Sequence, residues 1–286
     1  MLGGKRRLKA LLLGSGERQH VLDEADRLRP VIEAHADIVL ADFESQHDLS
    51  SVEADIAIVL GGDGSILRAA KQMGSNQIPV LGVNLGRLGF LADVSPGELV
   101  HRLPGIVAGD CTVVDHLMFQ CTVTLGSESV HEQLGLNETA IMGGLPFSML
   151  DINLYVDSDL VTTYSCDGLI ISTPVGSTAH SLSAGGPILR KNLQAFVISP
   201  ISPHTLTMRP VVDTADRIYE MAVTRPKENT MAVVDGVPIC RLTAEHRVRV
   251  QRAESKFKMV EIRDRNYYRT LREKLGWGSD FRNSAT

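Results

Sequence analysis

The sequence is poor in cysteine, in net positive charge and in long apolar runs, and each absence excludes a class of protein. Its four cysteines lie far apart with no CxxC pair, which argues against a zinc site and a disulfide framework. Lysine and arginine number 29 against 34 aspartates and glutamates, and the formal charge of -5 does not favour a nucleic-acid partner. No segment approaches the roughly 18 apolar residues of a membrane span. The apolar run at the N-terminus contains Lys9 and no signal-peptidase site, so we expect a cytoplasmic protein with reduced thiols and no membrane partner.

The 286 residues are enough for about two domains, and the first third has the pattern of an α/β domain. Short apolar runs alternate there with helix-compatible stretches, which is typical of βα units that build a parallel sheet. The strands that this pattern predicts lie at 8–13, 38–40, 56–60 and 79–83.

After about residue 112 the apolar period becomes two, as in 117–125 and 152–156, which predicts half-buried strands of an antiparallel sheet system. The segment 95–109 is rich in proline and glycine and is the predicted join between the two parts. Residues 265–277 are predicted to form a helix that packs back on the first domain.

The motif GGDGS at 61–65 follows an apolar strand and precedes a helix-compatible run. Its glycines allow the backbone to approach a phosphate, and the start of the helix adds N–H donors. A carboxylate in such a loop repels phosphate, so Asp63 indicates either a magnesium ion or a proton taken from an attacking hydroxyl. The structural alternative is an Asp-Gly turn in which Asp63 caps the helix. Arg68 lies one turn further on, where it either binds the same anion or is a solvated helix arginine.

Three other segments allow both a functional and a structural interpretation. Gly14-Ser15-Gly16 ends the first strand, but Gln19 stands where a dinucleotide fingerprint needs a third glycine. Residues 82–90 carry three glycines and form either a ligand loop or a tight turn. Asn137 and Glu138 either read an adenine or ribose diol, or are turn residues.

The densest cluster of polar residues is DGLIISTPVGSTAHSLSAGGP at 167–187. Its pattern predicts a strand, a turn, a short helix and a Gly-Gly loop, with hydroxyls where the helix begins. These hydroxyls are either ligand donors or N-caps and ST-turns. No GxSxG elbow is present, so the segment does not indicate a hydrolase. His180 is either a base, a stacking ring or a structural histidine.

Taken in order, these segments resemble the NAD kinase family, which phosphorylates NAD to NADP. GGDG alone also occurs in lipid kinases and phosphofructokinases, but GGDG followed about a hundred residues later by STPVGSTA and SLSAGGP is highly specific. The resemblance covers nearly the whole chain. Its motifs are GGDGS at 61, NLGRLGFL at 84, NE at 137, DGLIISTPVGSTAHSLSAGGPI at 167, PHTLTMRP at 203, VDG at 234 and LREKLGW at 271.

The resemblance implies an α/β plus β fold. A Rossmann-like α/β domain is expected over 1–111, joined by the returning segment 265–286, and a β-sandwich-like NAD-binding domain over 112–264. It also implies a site between the domains near GGDG, and a homodimer or homotetramer in which a neighbouring subunit completes the pocket.

The resemblance further implies a role for each site residue. Asp63 would be the base or orienting group at the adenosine 2'-hydroxyl of NAD, beside Gly62 and Gly64, and Arg68 would bind phosphate. ATP with Mg²⁺ is the implied donor, and the protein itself is expected to ligate no metal. The binding residues implied in the second half are Asn137, Glu138, Ser165, Asp167, Thr178, Ala179, His180, Ser181, Leu182 and Ser183.

Among these, Asn137 and Glu138 would hold the ribose and base of one half of NAD, and Asp167 would contact the other half. Residues 178–183 would line the adenine side, with His180 in place of the family's usual tyrosine. Two alternatives remain. A catalytically silent NAD(P)-binding protein would be expected to lose Asp63, and a lipid or sugar kinase would need an acyl groove or a sugar-phosphate clamp. The sequence leaves open whether polyphosphate replaces ATP and whether NADH is accepted.

Overall fold

The computed structural model describes residues 6–86, 89–144, 149–205, 207–262 and 267–276. Its contacts divide the chain into unit 1, Met1–Val114 with Lys258–Thr286, and unit 2, Asp115–Phe257. The predicted domain boundaries at 111/112 and 264/265 lie near these divisions and remain predictions. In chain order the helices and strands are β1 (Leu8–Leu13), α1 (Gln19–His35), β2 (Ala36–Asp42), β3 (Ile56–Leu60), α2 (Asp63–Met73), β4 (Val80–Val83), α3 (Pro96–Val107), β5 (Cys111–Leu125), β6 (Glu128–Gly135), β7 (Glu138–Met142), β8 (Leu150–Val156), β9 (Asp159–Cys166), β10 (Gly168–Ser172), a 3₁₀ turn (Gly176–Thr178), α4 (His180–Ser183), β11 (Ala195–Ile201), β12 (Val211–Thr214), β13 (Tyr219–Val223), β14 (Met231–Val234), β15 (Val237–Arg241), β16 (His246–Ile262) and α5 (Tyr267–Leu275).

Unit 1 is built on a parallel sheet in the order β2-β1-β3-β4, and the end of β16 pairs with β4 at Met259 and Val80. Every residue of β3 is buried, as expected for a parallel strand covered on both faces. This explains the continuous apolar runs that predicted β1 and β3, whose bounds are confirmed. Helix α1 adds a buried stripe at three- and four-residue spacing, formed by Val21, Ala25, Leu28 and Ile32.

The predicted join at 95–109 is wrong, because most of this segment forms helix α3 within unit 1. Ser95 caps the helix: its Oγ accepts the Glu98 N–H at 3.2 Å, and Glu98 Oε2 accepts the Ser95 N–H at 2.9 Å. Pro96 occupies the first turn, where its missing N–H costs nothing. The Ser-Pro-Gly-Glu sequence is therefore a helix start rather than a linker.

The C-terminal segment returns to the first unit, as the resemblance implied. Leu271 of α5 is buried, and Lys274 Nζ lies 5.0 Å from the centroid of the Phe90 ring. None of the helices in the described ranges has the length and apolar character needed to cross a membrane.

Unit 2 is a sandwich of antiparallel sheets, which confirms the predicted change of period. One sheet has the order β12-β11-β10-β7-β14-β15, and the strands β16, β13, β8 and β9 pair in sequence in the other. Side chains from both sheets share one core, for example Ile171 and Val234 from the first and Ile152 and Tyr219 from the second. In the first sheet β7 runs antiparallel to β10, with Glu138 opposite Ser172 and Met142 opposite Gly168.

Candidate active site

The GGDGS loop connects β3 to α2, and two of its glycines face open space. A Cβ built on Gly62 or on Gly64 would meet no atom within 4 Å, so packing within the chain does not require glycine at either position. Gly61 differs, because its φ of +138° strains any L residue. The loop therefore leaves clearance for a ligand next to the backbone at the start of α2.

Asp63 is the first residue of α2, and its carboxylate is held by three backbone amides of the loop after β4. Oδ2 accepts the Phe90 N–H at 2.8 Å. Oδ1 accepts the N–H groups of Leu91 at 2.9 Å and Ala92 at 3.0 Å. Two oxygens offer about four acceptor sites, so the three amides fix the carboxylate and leave room for one more donor.

The glycine at position 89 is explained by this contact. A Cβ there would overlap Asp63 Oδ1 and would stand 2.8 Å from the Ala92 carbonyl oxygen. Of the predicted loop at 82–90, residues 82 and 83 belong to β4, positions 87 and 88 lie outside the described residues, and residues 89 and 90 pack against Asp63. The Gly14-Ser15-Gly16 turn has a packing reason instead, because a Cβ on Gly14 would come within 2.8 Å of the Phe43 ring.

Arg68 lies on the exposed face of α2, one turn beyond Gly64. Its Nη2 is 3.4 Å from Ser65 Oγ, and the side chain carries a full positive charge beside the glycine loop. In unit 1 the structure therefore gathers four of the predicted site residues at one helix start: Gly62, Asp63, Gly64 and Arg68.

In unit 2, the start of β7 is tied to the loop after β10. The Thr173 N–H donates to the Asn137 carbonyl at 2.9 Å, and Thr173 Oγ1 donates to the Leu136 carbonyl at 2.6 Å. Gly176 packs so closely that a Cβ would overlap the Asn137 backbone. Asn137 and Glu138 are consequently held beside the segment that leads to α4.

Glu138 is only 6% exposed, and its Oε2 has no hydrogen-bond partner among the described residues. Burial raises the pKa of this carboxyl to about 8, and the nearby Asp235 charge adds to the rise, while a backbone hydrogen bond from His180 opposes it. Glu138 is therefore mostly protonated at pH 7, and its carboxyl group can both donate and accept a hydrogen bond.

Most hydroxyls of the segment 172–183 are engaged within the chain. Ser177 Oγ donates to the Pro174 carbonyl at 2.7 Å, and Thr178 Oγ1 donates to the Val175 carbonyl at 3.1 Å. Ser181 is fully buried and its Oγ lies 2.9 Å from Ser199 Oγ. These bonds have the geometry of ST-turns and buried pairs. The remaining predicted residues here are half-buried or exposed: Ala179, His180, Leu182 and Ser183.

Asp167 is exposed at the other end of the β7–β10 pair from Glu138. The Gly143 N–H donates to the Asp167 carbonyl, so Asp167 is level with a residue five positions after Glu138, which is about 17 Å at 3.4 Å per residue. His204 Nε2 lies 3.8 Å from Asp167 Oδ1. Ser165 is half-buried, and its Oγ donates to Asp151 Oδ1 at 2.5 Å, so the structure ties its side chain to a different carboxylate.

Sequence reasoning missed Asp235 and His204 as members of these clusters. Asp235 carries a carboxylate that binds three backbone amides, those of residues 136–138. The Asp-Gly pair between two apolar strands signals the hairpin turn, but not what its carboxylate contacts. Across the described residues, no group of three or more His, Cys, Asp or Glu side chains is arranged to hold a metal ion.

An open glycine loop with a fixed carboxylate at a helix start defines a phosphate-binding protein of the α/β class. Comparison with known proteins narrows this class. The ATP-NAD kinase N-terminal domain family matches residues 14–111, and the ATP-NAD kinase C-terminal domain family matches residues 136–262. The chain therefore belongs to the NAD kinase family, which confirms the resemblance carried by its motifs.

Relatives and solved structures agree with this assignment. The chain is 54% identical over 269 residues to NAD kinase from Rhodopirellula baltica, which covers 94% of this chain and 86% of the relative. It is 37% identical over 252 residues to NAD kinase from Geotalea daltonii, with coverages of 88% and 89%. The structure of an Archaeoglobus fulgidus NAD kinase in complex with ATP has a TM-score of 0.73 at 25% identity and covers 94% of this chain and 99% of its own. Yeast NADH kinase complexed with NADH shares the fold, with a TM-score of 0.84 at 22% identity and coverages of 98% and 91%.

Proposed function

We propose that this chain transfers the γ-phosphoryl group of ATP to the 2'-hydroxyl of the adenosine ribose of NAD, giving NADP and ADP. A bond forms between the 2'-oxygen and the γ-phosphorus, the bond from that phosphorus to the β-γ bridging oxygen breaks, and the hydroxyl proton leaves. The observation that carries the proposal is Asp63, a carboxylate fixed by three amides at the mouth of an open glycine loop.

Asp63 is proposed to orient the acceptor rather than to act as a strong base. Phosphoryl transfer passes through a loose transition state, in which the position of the acceptor matters more than its prior deprotonation. The one acceptor site that the amides leave free on the Asp63 carboxylate would take a hydrogen bond from the 2'-hydroxyl and receive its proton late.

The phosphate groups are proposed to lie against Gly62 and Gly64, where the backbone has clearance and the start of a helix supplies N–H donors. Arg68 would neutralise part of their charge. Because the described residues offer no cluster of ligands for a resident metal, Mg²⁺ is proposed to enter with the nucleotide, bound mainly by the phosphates.

The dinucleotide is proposed to extend along the β7–β10 pair. Asn137 and Glu138 would hold the ribose and base of one half, and Asp167 would contact the other half, about 17 Å from Glu138 along the strand pair. The 178–183 segment would line the adenine side with the His180 ring and with backbone groups, because its buried hydroxyls are already engaged.

One assay tests this function. Purified protein is mixed with Mg²⁺, with either ATP or inorganic polyphosphate, and with either NAD or NADH, and the product is detected with a dehydrogenase that accepts only the 2'-phosphorylated coenzyme. We expect product with ATP and NAD, and the other three combinations define donor and acceptor range. A wild-type chain that binds NAD and yields no product with any donor is a silent binder, which contradicts the proposal.

We further propose that the protein works in the cytoplasm and that it assembles as a homodimer or homotetramer. Both proposals rest on membership of the family. Sedimentation at micromolar concentration measures the assembly directly, and a monomer that is fully active would contradict it.

A further inference from the structure

Asp235 joins the β14–β15 hairpin to the start of β7 through its carboxylate. Oδ2 accepts the Leu136 N–H at 2.8 Å, and Oδ1 accepts the N–H groups of Asn137 at 2.7 Å and Glu138 at 3.1 Å. In return, the Asp235 N–H donates to the Glu138 carbonyl at 2.9 Å. Four hydrogen bonds thus connect one turn residue to three consecutive residues about a hundred positions away in the chain.

The hairpin turn places this carboxylate. Asp235 has a φ of +48° and Gly236 a φ of +78°, the left-handed pair that a two-residue turn between right-twisted strands requires. Val234 and Val237 pair on either side of the turn, and β14 also pairs with β7. The turn therefore stands at the end of β7 where Glu138 begins the strand.

We propose that Asp235 is a positioning residue for nucleotide recognition: by holding the backbone of 136–138, it aims the Asn137 and Glu138 side chains at the dinucleotide. The inference rests on the proposed function for the identity of that ligand. Asn137 precedes β7 and Glu138 is its first residue. At the end of a strand, the position of a side chain depends on how firmly its backbone is held. The carboxylate supplies that constraint with charge-assisted bonds, which are stronger than those of a neutral acceptor.

Asp235 also sets the charge environment of Glu138. The charged group that acts on Glu138 is the Asp235 carboxylate, from the β14–β15 turn, and the backbone N–H of His180, from the start of α4, is a neutral donor to it. Two carboxylates this close disfavour a second negative charge, so Asp235 helps to keep Glu138 protonated, with Oε2 available to donate to a ligand oxygen or ring nitrogen. Removal of the Asp235 charge lowers the pKa of Glu138.

The test is Asp235→Asn, compared with the wild type and with a matched control. Asparagine tolerates the left-handed conformation, so the turn is retained while one acceptor atom becomes a donor and the charge is lost. We expect amide hydrogen exchange at 136–138, measured without nucleotide, to be at least about tenfold faster than in the wild type. We expect KM for NAD to rise about tenfold or more with kcat within about threefold.

The pH profile separates positioning from a merely structural role. In the wild type, NAD binding should weaken as pH rises through about 8, because Glu138 then loses its proton. In Asp235→Asn this inflection should move to lower pH. A variant that is only less stable would leave it in place.

Asp157→Asn is the control. Asp157 lies in the β8–β9 turn with a φ of +51°, and its Oδ1 accepts the Ile218 N–H at 3.0 Å. It is the same residue type in the same kind of turn of unit 2. The control should speed amide exchange at Ile218 and leave exchange at 136–138, KM and the pH inflection unchanged.

If Asp235→Asn does not fold, Asp235→Glu serves instead, because it keeps the charge but lengthens the arm by one methylene. We expect faster exchange at 136–138 and a raised KM with this variant also. Unchanged exchange and unchanged KM in a folded Asp235 variant overturn the inference. A wild-type chain that forms no NADP overturns the proposed function alone, because the exchange measurement needs no nucleotide.

Discussion

Replacement of Asp63 with asparagine separates the structural role of this carboxylate from its chemical role. The asparagine Oδ1 can still accept the Leu91 and Ala92 N–H groups, but its amide nitrogen then faces the Phe90 N–H, where the wild type has an acceptor. One hydrogen bond to a charged acceptor is lost and the two others become neutral. Bonds of this kind contribute about 1.5 to 3 kcal/mol each, so we expect Asp63→Asn to lower the free energy of unfolding by about 2 to 3 kcal/mol.

Asp42→Asn is the matched control for that loss. The Asp42 Oδ1 accepts the N–H groups of Glu44 and Ser45 at 3.0 and 2.9 Å, and Oδ2 accepts the His47 N–H at 3.0 Å. The three backbone amides are arranged as they are around Asp63, in the same unit, and Asp42 Oδ2 also accepts the side-chain amide of Gln72 at 2.9 Å. We expect urea denaturation to show a comparable loss of stability in both variants.

Only Asp63→Asn should lose activity. With NADP formation measured at saturating ATP and NAD, and at a temperature where both variants are folded, we expect kcat to fall roughly 100- to 10,000-fold for Asp63→Asn and by less than about threefold for Asp42→Asn. A near-normal kcat in Asp63→Asn would refute the role of this carboxylate in catalysis. An equal loss in Asp42→Asn would show that the effect is structural.

Three further results are expected. Gly64→Ala should leave the free energy of unfolding unchanged or raise it by up to about 1 kcal/mol, because its Cβ enters open space, but it should raise KM for the nucleotides. The control is Gly97→Ala, at the second position of α3, where a Cβ also meets open space. This control should not change KM. Burial lowers the pKa of His116 to about 4, so between pH 6.5 and 4 the unfolded chain takes up a proton that the folded chain does not. The free energy of unfolding of the wild type should therefore fall by up to about 3 kcal/mol as pH is lowered over that range. Denaturation at a series of pH values measures this loss, and His116→Gln should lack it. The pKa of Glu138 is raised to about 8, so the free energy of unfolding falls as pH rises from 4.5 to 8, because the unfolded chain releases the proton first. Glu138→Gln should lack this decline and should bind NAD nearly normally at pH 7, as measured by calorimetry. A large loss of NAD binding at pH 7 in this variant would contradict a protonated carboxyl group at Glu138.

Local patterns in the sequence predict much of the fold because each element carries its own periodicity. The runs LKALLL and IAIVL have the bounds of β1 and β3, since strands buried on both faces consist almost wholly of apolar residues. The failure at 95–109 has a local cause as well. The two prolines and three glycines of this segment indicate a linker, but Ser95 and Glu98 form a capping box, and proline in the first turn with a glycine next to it is compatible with a helix.

The candidate site is less predictable, because its bonds join residues far apart in the chain. The motif GGDGS points to Asp63 as a functional residue, but its amide partners lie 27 to 29 residues further on, and those of Asp235 lie 97 to 99 residues back. A single sequence does not show which backbone amides bind Asp63 or Asp235. The hydroxyls of Thr178 and Ser181 show the opposite case, where residues suited to ligand binding have partners within the chain.

The measurement that tests the central claim most directly is the structure of this chain crystallised with NAD. The account predicts the adenosine 2'-oxygen within about 3.2 Å of an Asp63 carboxylate oxygen, with the three amides of residues 90–92 still bound to that carboxylate. A dinucleotide whose 2'-oxygen lies beyond hydrogen-bond reach of Asp63, or next to another acid, would contradict it.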